Sequence, residues 1–136
     1  MIPLLVIASA SLLPLAELPP QTLAPNSCAM FLWERASQQR VLMAVAQPPV
    51  IRINSGGVRD LARRDASGTP VMGFAPRASY ADARLTITLN LDIAPNPAAV
   101  GGAAIRQGVM TVTGPDGAAI VTPVAGLIGC QTATGR

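Results

Sequence analysis

Between residues 83 and 93 the chain alternates without a break. Ala83, Leu85, Ile87, Leu89, Leu91 and Ile93 are apolar, and Arg84, Thr86, Thr88, Asn90 and Asp92 between them are polar. Successive side chains of an extended strand point to opposite sides, so this stretch has one apolar face and one wet face. Wound as a helix, the same residues would scatter both sets around the surface. The apolar face needs a cover, and the remaining pattern supplies short runs of the same kind.

Cys28 to Glu34 reads as a strand, with Phe31 and Trp33 on one side of it. Arg40 to Ala46 is apolar at both parities, which suits a strand covered on two faces, and Pro48-Pro49 ends it. A helix over residues 34–46 is the competing reading, because Arg, Gln, Leu, Met and Ala are good helix formers. Val50 to Asn54 and Val58 to Leu61 flank Ser55-Gly56-Gly57, a hairpin signal. A short helix over 58–65 is the alternative there. Ala66 to Pro70 reads as loop, Val71 to Phe74 as a short strand, and Pro76 to Asp82 as a crossing into the long strand.

Pro95-Asn96-Pro97 and Gly101-Gly102 mark the next loop, and Ile105 to Thr113 the next strand. Gly114-Pro115-Asp116-Gly117 predicts a type I turn closed by a left-handed glycine. Ala118 to Val124 returns, and Leu127 to Cys130 closes the domain. The pattern therefore predicts an all-β fold: a single small antiparallel β-sandwich or barrel-like domain of about seven to eight short strands over residues 28–130. Residues 17–27, with Pro19, Pro20 and Pro25, read as a Pro-rich extended lead-in, and 131–136 as a flexible tail.

Composition agrees. At 136 residues the chain makes one domain, and with half its residues apolar and 12% charged it is not of the disordered class. Twelve glycines and 13 prolines suit a turn-rich sheet. The net charge is +3, carried by ten arginines and no lysine. That usage fits GC-rich codons at least as well as selection for bidentate anion recognition. So few charges do not make the dense basic stripe of a nucleic-acid binder, and four aromatic residues do not make a base-stacking platform.

Residues 2–16 carry no charge and are too short and proline-broken to span a membrane as a helix. They resemble the apolar core of a secretory signal, so residues 1–16 are expected to be a leader, with small residues for cleavage after Ala10 or Ala16. The charged start usual in such leaders is missing. The two cysteines, Cys28 and Cys130, lie near the two ends of the domain, and an even count in an exported chain predicts a disulfide. In kind the chain is similar to small exported β-domains of Gram-negative bacteria, which implies a periplasmic or secreted protein.

The chemistry on offer is narrow. There is no histidine, which removes the commonest general base and the Ser-His and Cys-His nucleophile pairs. Asp82 and Asp92 share the wet face of the long strand but lie roughly 33 Å apart at strand rise, too far for a carboxylate pair. No catalytic, metal or cofactor residue is expected, and no enzyme. Two clusters are candidates for binding. Arg59, Arg63 and Arg64 could hold an anion or an acidic partner, or simply be a solvated edge. Phe31 and Trp33 could anchor a partner or stack a sugar, although core packing is the simpler expectation.

The expected function is a non-catalytic structural or protein-interaction domain accessory to a cell-envelope complex, docking another envelope protein. A small-ligand or inhibitor module with an apolar pocket is the alternative. A carboxylate-only hydrolase comes last. Membrane association is not indicated by any of these features.

Overall fold

A computed structural model describes residues 15–95 and 102–130. Eight antiparallel strands follow one another around a closed barrel: β1 (Cys28–Glu34), β2 (Arg40–Val45), β3 (Val50–Asn54), β4 (Val58–Ser67), β5 (Arg77–Ala81), β6 (Thr86–Pro95), β7 (Ala103–Thr113) and β8 (Ala119–Cys130). Each strand pairs with its chain neighbours, and β8 returns to pair with β1 from Cys28–Cys130 to Glu34–Val124. The two cysteines are directly opposite in that register and form the disulfide. Closure leaves no full-length edge strand, so docking on exposed strand edges is not what this fold offers.

Alternation fills the barrel. Met30 and Leu32, Leu42 and Ala44, Ile51 and Ile53, Leu61, Ala78 and Tyr80, Ile87, Leu89 and Leu91, Ile105, Met110 and Val112, and Val124 and Ile128 form one buried cluster. The odd face of residues 85–91 is thus turned inward, and Thr86, Thr88, Asn90 and Asp92 face out. A barrel of eight strands is just wide enough for side chains to fill. Its outer surface carries Arg52, Asp60, Asp92 and Arg106, the reverse of a membrane-spanning barrel, which turns its apolar face outward.

The chain before β1 is part of the structure. Leu15 closes the end of the barrel that holds the β1–β2 and β7–β8 turns, packing beside Val41, Met110 and Val112. The chain then runs down the outside as a strap. The Ala16 N–H bonds the Asn54 carbonyl at 2.9 Å, and the Leu18 N–H bonds the Arg40 carbonyl at 2.7 Å. Leu18 is 2% exposed in a second small core with Ala29 and Met43. This explains why Val41 to Ala44 are all buried: the barrel core covers one face of β2 and the strap covers the other. Leu15 and Ala16, expected within the leader, thus belong to the folded part.

Other expectations fare differently. Residues 34–46 and 58–65 are strand and turn, without helix. Val71 to Phe74 is no strand but a tight turn held by one bridge, with Phe74 packed into the barrel core. The crossing at 76–82 is a strand, β5, whose inward residues are Ala78 and Tyr80. The two closing runs are one continuous strand, β8. At the β7–β8 turn Gly117 has φ 86°, as the left-handed position requires, and the Gly114 N–H bonds the Ala118 carbonyl. Residues 1–14 of the expected leader, the centre of the 94–102 loop and the 131–136 tail lie outside the described residues.

Candidate functional site

Three register shifts decide which side chains reach the surface together. Leu42 pairs with Leu32, whereas Arg40 pairs with Trp33, so Val41 is an extra residue in β2. Without that bulge Arg40 would share the inward parity of Leu42 and Ala44; with it, Arg40 stands on the outer face beside Trp33. Similar single-residue shifts fall at Arg64 in β4 and Arg106 in β7.

On the outer face of β8, β1 and β2 two rows run across the strands. Leu127 pairs with Phe31, which pairs with Met43; Ala125 pairs with Trp33, which pairs with Arg40. The strap rises beside these rows and leaves a groove of about 360 Å³ lined by Pro20, Gln21, Phe31, Trp33, Arg40 and Leu127. The Arg40 guanidinium lies 5.6 Å from the centroid of the Phe31 ring, a cation–π contact. Among the described residues no carboxylate pairs with Arg40. Gln21, the polar wall, is held at both ends of its amide. Its oxygen accepts from Arg52 Nη1 at 3.0 Å, and its nitrogen donates to the Pro19 carbonyl at 2.8 Å. Arg52 in turn forks onto Asp60 across β3 and β4, at 2.7 and 3.0 Å.

Next to the groove the outer face of β8 is apolar throughout. Its outward positions are Ala119, Val121, Pro123, Ala125, Leu127 and Gly129, with Val109 of β7 paired to Pro123. Val121 is 63% exposed, Leu127 44% and Val109 41%. The outward positions of β6 from Thr86 to Asp92, two strands away, are polar.

The sequence-predicted residues divide accordingly. Phe31 and Trp33 are brought together, half-buried on the outer face and outside the barrel interior, with Phe31 packed against the small core of Leu18, Ala29 and Met43. Arg59, Arg63 and Arg64 are not gathered into one site. Arg59 forms a salt bridge with Asp82, Arg63 pairs in register with Tyr80 on the far side of Leu61, and Arg64 is the bulged residue. Arg40 and Leu127, which complete the groove, are missed by sequence reasoning, because one depends on a bulge and the other on closure. Among the described residues no group of three acidic or thiol side chains gathers as metal ligands would.

Known protein families, curated proteins and solved structures contain no match to this chain. The reading of its function therefore rests on the geometry.

The electrostatics are structural. The hydrogen bond from Arg52 holds the Asp60 carboxyl below its usual value. Burial pushes Asp82 up, but the N–H groups of Arg84 and Leu85 and the Arg59 guanidinium more than reverse it, so it too titrates low. A carboxyl depressed in the folded chain stabilises it above the unfolded pKa of about 4, and that contribution is lost as pH falls through the folded value. Stability in urea should therefore fall below about pH 4. Asp82→Asn should be less stable than the parent at pH 7 and lose less on acidification; equal acid slopes would show that Asp82 takes no part.

Proposed function

We propose that this is an exported, non-catalytic interaction domain that docks another cell-envelope protein on the outer face of β8. The observation that carries the reading is the run of outward positions from Ala119 to Gly129 without a polar side chain, on a barrel that carries Arg52, Asp60, Asp92 and Arg106 elsewhere on its outer surface. Apolar faces left open on a folded domain mark interaction sites more often than chance patches. The disulfide is compatible with an oxidising compartment. Cleavage of the leader after Ala10 would keep Leu15 in the end of the barrel, whereas cleavage after Ala16 would remove it.

The test is site-specific photocrosslinking in the native host. A photoreactive residue at Val121 should give a discrete adduct in the envelope fraction, and the same residue at Thr88 on β6 should not. Equal labelling at both positions, or none at Val121, counts against the reading.

A further inference from the structure

We infer that the groove between the strap and β1 is a binding site for a small apolar monocarboxylate, with Arg40 taking the carboxylate and Phe31, Trp33 and Leu127 taking the apolar body. The inference goes beyond the docking reading: Leu127 belongs to both surfaces, and binding of the acid is read on the isolated protein. Four observations carry it. The groove, at about 360 Å³, is within the range of small-ligand sites, which are mostly apolar with a few placed polar groups. Its one charged lining residue is a guanidinium with no carboxylate on it among the described residues. That guanidinium is turned out to this face by the Val41 bulge, and bulges are a recurrent means of re-aiming a side chain at a site. Finally, the walls are set in advance: Gln21 is fixed by Arg52 and by the Pro19 carbonyl, and Arg40 is tied through its own carbonyl to Leu18 of the strap. A carboxylate on Arg40 makes charge-assisted hydrogen bonds at the edge of two aromatic rings, where water is partly excluded.

Commitment to a small acid, and not to an acidic peptide, comes from the shape of the groove. The strap stands on one side and Leu127 on the other, and the volume between them fits a short acyl or aryl chain. Trp33 is the only tryptophan of the chain, so its emission reports on this groove alone.

The disulfide-bonded protein is titrated with octanoate and, separately, with its uncharged analogue octanamide, and Trp33 fluorescence is followed. Octanoate should give a saturable blue shift, and octanamide should need at least about tenfold higher concentration for the same shift, the factor expected for loss of a charged hydrogen bond. Arg40→Gln should bring octanoate to the level of octanamide, while Arg84→Gln, an exposed arginine in the β5–β6 turn, should leave octanoate binding unchanged. Equal response to octanoate and octanamide in the parent protein overturns the proposal without recourse to any variant. So does the absence of any shift, an equal loss in Arg84→Gln, or a shift with the blocked peptide acetyl-Leu-Glu-Leu-amide where octanoate gives none. The last result would make the groove a peptide dock.

Discussion

Gly126→Ala is expected to be among the most destabilising single substitutions in this chain. Gly126 faces the barrel interior on β8, in register with Leu32 of β1 on one side and Ile105 of β7 on the other. A Cβ built there would lie 2.1 Å from the Phe31 carbonyl oxygen and 2.8 Å from Leu32 Cδ2. Backbone, not a flexible side-chain tip, is what it meets, and that backbone belongs to the pairing that closes the barrel. The strand must move outward, which stretches the β1–β8 ladder and opens the core beneath it. A cost above about 3 kcal/mol follows, at the upper end of overpacking effects. Gly129→Ala on the same strand is the control, since its Cβ would meet only Leu127 Cδ1, at 3.8 Å. Urea unfolding of the two variants should differ by most of that figure. Similar midpoints would mean that the seam relaxes without strain.

That seam also marks where sequence patterning stops being informative. β1 and β3 are legible to the residue, β1 as an apolar run and β3 as an alternating one, each bounded by turn formers. Burial of β2 on both faces is legible from its apolar residues at both parities, although the pattern does not say that a strap supplies the second cover. β8 reads as two pieces because Pro123 and Gly126 look like breaks. Pro123 is tolerated because its carbonyl accepts from the Arg35 N–H just past the last β1–β8 pair. Its nitrogen points the same way, beyond the end of that ladder, which is where a strand accepts proline. Gly126 is required by close approach and not by a turn. β5 escapes notice because Ala78 and Tyr80 are its only inward residues.

The candidate site was half legible for a related reason. Phe31 and Trp33 stand out as two of the four aromatic residues and share a parity. Which face that parity serves is set by partners, and it proves to be the outer one. Arg40 reaches them only because one residue is added to β2, and an inserted residue becomes visible only against the strand it faces. Arg59, Arg63 and Arg64 look like a cluster because they are close in sequence. Strand rise separates Arg59 from Arg63 by roughly 13 Å, and Leu61, at the centre of the core, lies between them. Proximity along a strand is poor guidance to a shared site; register across strands is better guidance.

Removing the disulfide should lower the melting temperature without dissolving the barrel. Cys28 and Cys130 are 102 residues apart and face each other at one end of the β1–β8 ladder. Loop-closure entropy for a loop of that size is about 4 to 5 kcal/mol, an upper figure when the unfolded chain is itself compact. For a domain of this size that corresponds to a fall on the order of 15 °C. The remaining β1–β8 pairs and the filled interior are untouched by reduction, so the far-ultraviolet circular dichroism at 20 °C should be unchanged. Cys28→Ala with Cys130→Ala should reproduce the reduced protein, which separates the covalent link from any effect of the reductant. A fall under about 3 °C would mean that the ladder alone holds the two ends together, even in the unfolded ensemble. The larger fall would tie stability to an oxidising compartment: made where thiols stay reduced, the same chain would lack one of its largest single sources of stability.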